Sequence, residues 1–226
     1  MSAVDEGAGT AARPGPIRVL IVDDHNVLAS ALAVVLDAEE DIRSVGVATT
    51  LGQATDMVET TQPDVVLLDH RMPDGDGVAA IPELRARRPS AGIVVLTASS
   101  ADHVLLSAIE AGASGFLSKT RSLDEVTAAV RAAAAGESVI SPEMLARLLP
   151  RFGRGNPQAA DELTEREREV LALVAEGLSN AAIAERLVVS VHTVRNHIAS
   201  LSAKLGAHSK LEALSIAVRR GLLPDV

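Results

Sequence analysis

The residues with the clearest chemical potential are carboxylates at the ends of apolar runs. Asp23 and Asp24 close the run Ile17 to Val22, and Asp69 closes VVLLD. An Asp at a strand-to-helix turn is an ordinary cap, and that alone explains any one of the three. If the first and third runs are neighbouring parallel strands, all three carboxylates converge on one sheet edge. There they repel one another and shift their own pKa values unless a hard cation joins them, and oxygen donors of this kind suit Mg2+. Two further run ends bring different groups to the same edge: Thr97 ends IVVLT and Lys119 ends GFLSK. The chain has 3 lysines against 18 arginines and no other lysine before Lys204, so a compact, flexible ammonium is kept where the composition otherwise uses guanidinium. A metal site, an exposed carboxylate, a hydroxyl and a cation are what phosphorylation of an Asp requires. The metal and the lysine neutralise the incoming phosphoryl charge while the carboxylate attacks in line.

Positioning these groups is the task of five short runs rich in Val, Ile and Leu: Ile17 to Val22, Ser44 to Ala48, Asp64 to Leu68, Gly92 to Leu96 and Gly115 to Leu117. They are too continuous for strands with one wet face, and amphipathic stretches separate them, which predicts buried parallel strands with five crossover helices. The expected fold is α/β, a doubly wound five-stranded parallel sheet of order 2-1-3-4-5, with ligands beyond the carboxyl ends of the strands. The first run is followed by DDHN rather than a Gly-rich turn, which argues against a nucleotide-binding Rossmann enzyme. A haloacid-dehalogenase-like phosphatase also uses an Asp after a strand, but it expects a second Asp two residues later, where this chain has Arg71.

At 226 residues the chain favours two small domains, and its 47% hydrophobic and 23% charged residues are ordinary for a globular protein. The absence of cysteine removes disulfides and thiolate chemistry and suits a reducing cytoplasm. Phe116 and Phe152 are the only aromatics, so there is no platform for stacking single-stranded bases and any bound nucleic acid should be duplex. The net charge of -9 is uneven: residues 161–190 are acidic, whereas residues 191–226 carry 5 Lys and Arg against 2 Asp and Glu. No apolar run approaches the roughly 18 to 20 residues needed to span a bilayer, so no membrane partner is expected. Residues 1–16 read as a disordered leader and residues 137–162 as a linker with a short helix opened by Ser141-Pro142.

From Leu163 to Leu223 the pattern is all-α. Thr164, Ser179 or Asn180, Ser190 and Ser209 precede four apolar-periodic stretches, and Gly177, Gly206 and Gly221 follow three of them. The small residues Ala181, Ala182 and Ala184 allow two helices to cross closely, and a turn at Val188 to Ser190 leads into a helix carrying His192, Thr193, Arg195, Asn196, Ala199 and Ser200. Such a helix suits a DNA major groove, or equally a solvated face of a plain four-helix bundle.

The motifs IVDDH (Ile21 to His25), LLDHRMPDGDG (Leu67 to Gly77), VLTAS (Val95 to Ser99) and GASGFLSK (Gly112 to Lys119) together resemble the receiver domain of bacterial two-component response regulators, a flavodoxin-like fold, here spanning residues 17–136. The resemblance implies Asp69 as phosphoacceptor, Asp23 and Asp24 as metal residues with the backbone carbonyl of Arg71 as a further Mg2+ ligand, Thr97 as the hydroxyl that follows the phosphoryl group and Lys119 as its ion-pair partner. Phe116 falls on the family's aromatic switch position or is a plain core residue. His25 reads as a helix-start residue. The segment LTEREREVLALVAEGLSNAAIAERL with VSVHTVRNHIASLSAKLG is similar to the LuxR-type helix-turn-helix domain over residues 163–223. That similarity implies Val191 to Leu205 as the recognition helix, with Lys204 near its end, and Lys210 to Arg220 as a dimer surface. Ala199 and Ser200 stand where basic residues are common, so fewer phosphate contacts are expected.

Together the two halves resemble the NarL/FixJ class: a cytoplasmic transcription factor, not primarily an enzyme, phosphorylated on Asp69 by a sensor histidine kinase. Duplex operator DNA, a second copy of the chain and RNA polymerase are the further partners this implies. The alternative is an atypical receiver-containing regulator that binds DNA without phosphorylation.

Overall fold

A computed structural model describes residues 15–97, 101–152 and 163–223. The leader expected at residues 1–16 lies almost wholly outside them, as does the end of the linker. Five strands, β1 (Ile17–Val22), β2 (Ile42–Ala48), β3 (Val65–Asp69), β4 (Gly92–Thr97) and β5 (Gly115–Ser118), form one parallel sheet of order β2-β1-β3-β4-β5. Helices α1 (Asn26–Asp37), α2 (Leu51–Thr61), α3 (Gly77–Arg87), α4 (Asp102–Glu110) and α5 (Leu123–Ala134) cover it. Strand β2 begins two residues before the Ser44 expected from its apolar run, because Ile42 is fully buried and pairs with Ile17.

The register accounts for the meeting of the chemically active residues. Val22 pairs with Leu68, which sets Asp23 beside Asp69; Asp69 pairs with Leu96; and Thr97 pairs with Ser118, leaving Lys119 one step beyond. Alternate residues of each strand face opposite sides of the sheet. Val19, Ile21, Leu67, Val94 and Leu96 pack with Ala29, Leu36 and Val130 of α1 and α5, while Leu20, Val22, Leu68, Ile93 and Val95 pack with Val58, Ile81 and Leu105 of α2, α3 and α4. Burial on both faces is what a continuous Val, Ile and Leu run demands.

After Asp69 the chain makes a short antiparallel ladder, Arg71–Met72 with Gly75–Asp76, too brief to leave a pattern in the sequence. Asp74 at its tip accepts hydrogen bonds from the backbone N–H groups of Leu51 (3.0 Å) and Gly52 (3.2 Å), anchoring the loop to the first turn of α2.

The second core is helical: α7 (Glu165–Ala175), α8 (Asn180–Leu187), α9 (Val191–Leu205) and α10 (Lys210–Arg219). Each is opened by the expected Ser or Thr, whose side chain accepts a backbone N–H, and Thr164 and Glu167 complete a reciprocal capping box. The turn between α8 and α9 holds Val188 in a left-handed conformation at φ 55 with its side chain 91% exposed, an uncommon state for a β-branched residue. Between the two cores, α6 (Pro142–Leu148) is continued by a 3-10 turn at Leu149–Arg151.

The two cores are not separate. Leu145, Leu148, Val170, Leu171 and Leu214 join the cluster that contains Leu105 and Ile109. Helix α10 lies against α4, where Arg219 pairs with Glu110 at 2.9 Å and Ser209 Oγ donates to the carbonyl of Ala113 at 2.9 Å. Among the described residues, no helix is long and apolar enough to cross a membrane.

Candidate functional site

Lys119 Nζ donates to Asp23 Oδ2 at 2.8 Å and to Asp69 Oδ2 at 2.6 Å, bridging the ends of β1 and β3 from the end of β5. Asp23 and Asp69 are buried, and Asp24 is partly open. The other oxygens of the buried pair are also used: His25 N–H donates to Asp23 Oδ1 (2.9 Å) and Arg71 N–H to Asp69 Oδ1 (3.3 Å). Burial pushes the Asp23 carboxyl upward, but Lys119 and the His25 amide outweigh it and hold the group below its ordinary value. Burial likewise pulls Lys119 down, and the two carboxylates more than offset it, raising that ammonium.

Asp69 opens onto a cavity of about 580 Å³ lined by Asp24, His25, His70, Arg71, Thr97 and Lys119 among others. Ligand atoms of Asp23, Asp24, His25 and Asp69 lie within 4.8 Å of one another. Three carboxylates against one ammonium leave an excess of two negative charges on hard oxygen donors, which fits a divalent cation such as Mg2+. Asp23, Asp24 and Asp69 would hold it, with the Arg71 carbonyl as a candidate further donor. Gly77 is required beneath this floor, since a Cβ there would stand 2.0 Å from the Asp69 carbonyl oxygen.

Thr97 is buried and lines the same cavity, as sequence spacing predicts. The ring of Phe116 is buried, lining a separate groove with Thr97 and Leu105. His25 does more than start a helix: its Nδ1 lies 2.8 Å from Asp24 Oδ1 and 3.1 Å from Asp23 Oδ1. His70 is a wall residue that sequence reasoning passed over. Its Nδ1 is buried without a hydrogen bond, 3.4 Å from Asp76 Oδ1.

On α9, His192, Arg195, Asn196 and Ala199 are exposed, and Thr193 is half-buried with its N–H donated to the Ser190 cap. Ser200 and Lys204 have internal partners, since Ser200 Oγ and Lys204 Nζ each donate to Glu167 at 2.7 Å. Burial would raise the Glu167 carboxyl, yet Lys204, Ser200 and the Thr164 cap bring it down to about 2. The T-x-x-E spacing of the capping box is the one sequence signal that marks Glu167. Arg195, Ala199, Ser202 and Ala203 line a cavity of about 540 Å³ whose opposite wall is Ser90 to Gly92 and Ala133 to Glu137, so part of the exposed α9 face looks onto the sheet domain.

Comparison with known proteins gives this architecture its class. Residues 19–131 match the response regulator receiver domain, and residues 161–217 match the luxR family of bacterial regulatory proteins. The chain is 36% identical over 200 residues to the DNA-binding transcriptional activator DevR/DosR of Mycobacterium tuberculosis, covering 87% of this chain and 92% of that protein. It is 34% identical over 209 residues to the transcriptional regulatory protein LiaR of Bacillus subtilis, covering 92% and 99%. Among solved structures, the RcsB response regulator of Salmonella typhimurium is similar at 26% identity and a TM-score of 0.53, covering 89% of this chain and 97% of that one. A structure of two RcsB dimers bound to two parallel DNAs is similar at 25% identity and a TM-score of 0.54, covering 93% and 100%. The chain belongs to the response regulators that join a receiver to a LuxR-type DNA-binding domain, a family of transcriptional regulators and not of enzymes.

Proposed function

We propose that the chain is a transcription factor switched by phosphorylation of Asp69, with a receiver at residues 17–136 and an effector at residues 163–223. The observation that carries this reading is the Lys119 bridge between Asp23 and Asp69 beside an open cavity, with Thr97 on its wall. Mg2+ held by Asp23, Asp24, Asp69 and the Arg71 carbonyl would supply charge neutralisation for the phosphoryl oxygens. An Asp69 oxygen attacks the phosphorus of a phosphohistidine on a sensor kinase; the P–N bond breaks, and the imidazole leaves with the bonding pair. Lys119, released from Asp69 Oδ2 as that oxygen becomes an acyl phosphate, keeps its charge beside the phosphoryl group, and the Thr97 hydroxyl donates to it. This complete set favours phosphorylation over the atypical regulator that works without it.

The output is duplex DNA binding through α9, with His192, Thr193, Arg195, Asn196 and Ala199 facing the groove. Ser200 and Lys204 join the contact only if they give up Glu167. One recognition helix with a single Arg before Lys204 makes few phosphate contacts, so binding as a homodimer follows from the need for two linked half-sites. The α10 surface that would serve as the dimer contact lies on α4 here, which supports a closed, unphosphorylated form and a population shift toward an open one. The site of action is the cytoplasm, and RNA polymerase is the partner through which promoter output would change.

Incubation with Mg2+ and acetyl phosphate, followed by intact mass measurement, tests the assignment. A gain of one phosphoryl mass that requires Mg2+ is expected. No gain under any Mg2+ concentration would favour the phosphorylation-independent alternative.

A further inference from the structure

Glu137 follows α5 at the edge of the cavity that α9 faces. Its carboxylate reaches across to the helical domain, where Oε1 accepts the backbone N–H of Asn180 at 2.8 Å and Oε2 lies 3.2 Å from Lys210 Nζ. Lys210 is only 7% exposed, and its two other acceptors, the Leu178 carbonyl (3.0 Å) and Asn180 Oδ1 (3.0 Å), are neutral groups of its own domain. Among the described residues, Glu137 is the carboxylate that meets this buried ammonium. Burial is the dominant influence on Lys210 and lowers its proton affinity despite Glu137. Taking Glu137 away while the domains stay closed would leave a buried cation without a counter-charge, a costly state that opening to water relieves.

Glu137 also lies close in the chain to a contact with β5, the strand that leads to Lys119. Two residues on, Val139 bridges to Gly115 of β5: Phe116 N–H donates to the Val139 carbonyl (2.8 Å), and Val139 N–H to that of Ser114 (3.0 Å). The approach needs a glycine, because a Cβ on residue 115 would stand 2.2 Å from the Val139 oxygen. Val139 therefore makes a single bridge to β5, while the Glu137 N–H is donated to the Ala132 carbonyl at the end of α5 (2.9 Å).

We infer that Glu137 is a charge latch that helps hold the DNA-binding domain on the receiver, placed two residues before the Val139 bridge so that movement of β5 beside Lys119 reaches the Lys210 contact through a short stretch of chain. This deepens the closed-form reading given above and rests on it for the DNA outcome alone. The test uses the full chain without any phosphoryl donor, comparing the parent with Glu137→Gln and Glu137→Ala. Hydrogen exchange of peptides covering Glu110 to Ser114, Asn180 to Leu187 and α10 should speed up on the order of tenfold in both variants, as expected for losing a charged hydrogen bond. Exchange in β1, β3 and β4 should not change. A mixed-sequence duplex at low salt should bind on the order of tenfold more tightly. Unchanged interface exchange in both variants overturns the latch, and so does faster exchange throughout the sheet, which would mark Glu137 as a general stabiliser. Faster interface exchange with unaltered duplex binding upholds the latch and overturns the reading that the receiver masks the DNA-binding surface.

Discussion

Lys119 and Lys210 sit on opposite sides of the same balance. Lys119 has two carboxylates and is raised; Lys210 has one carboxylate and two neutral acceptors and is lowered. At the first site negative charge exceeds positive, and the deficit invites a cation from solution. At the second, among the described residues, one carboxylate from outside the helical domain offsets a buried charge. The third lysine, Lys204, pairs with Glu167 at 2.7 Å within the helical domain, so all three lysines of this arginine-rich chain have carboxylate partners. Here an ammonium marks a place where charge balance is structural or functional, while exposed pairs such as Arg87 with Glu59 use guanidinium.

The sharpest break in the comparison comes at Asp69. Asp69→Asn should abolish phosphoryl labelling under conditions that label the parent fully; labelling at the parental rate would move the acceptor elsewhere. Next in size is metal affinity. Asp23→Ala or Asp24→Ala should weaken Mg2+ binding by tenfold or more in a calorimetric titration, since each removes one of few anionic oxygens. Lys119→Met should act in the opposite sense, leaving three carboxylates without their ammonium, so that its melting temperature rises more steeply with Mg2+ than the parent's. Lys210→Met should show no such dependence.

The Lys204 partner gives a smaller, pH-dependent effect. Glu167 has its folded pKa depressed from 4.5 to about 2, so its contribution is complete above the unfolded value and is lost as pH falls from about 4.5 toward 2. Glu167→Gln should cost about 1 to 3 kcal/mol at neutral pH, measured by denaturant unfolding, and should flatten the acid limb of the stability profile. At the small end, Arg219→Ala removes an exposed pair with Glu110 and should change stability by no more than about 0.5 kcal/mol, leaving the domains closed.

Much of the receiver edge was legible because strand ends are legible. A run of Val, Ile and Leu needs both faces covered, and the residue after it must stand at the sheet edge, which places Asp23, Asp69, Thr97 and Lys119 together. The helix starts were equally open to reading, since Ser and Thr caps act within four residues. What could not be read were contacts whose partners are far apart in the chain and bland in type. Nothing in ESVIS marks Glu137 as the partner of Asn180 and Lys210. Arg85 looks like one of several arginines on a solvated helix. Yet it is buried, pulled down to about 10 by burial, with its guanidinium held by the carbonyls of Gly112 and Pro89 and by Ser114 Oγ. Ser200 and Lys204 read as groove residues because periodicity shows which face is polar, not which polar group already has a partner.

The tether from Asp74 to the start of α2 gives the loop after Asp69 unequal freedom on its two sides. Toward α2 the loop is clamped by two amide donors and crowded by Leu51, whose Cδ1 would lie 3.3 Å from any Cβ on Gly75. Toward Thr97 and Lys119 it faces a cavity. A displacement of this loop therefore meets backbone hydrogen bonds on the α2 side and open space on the β4 and β5 side, so the Asp74 side chain fixes the direction in which the loop can yield.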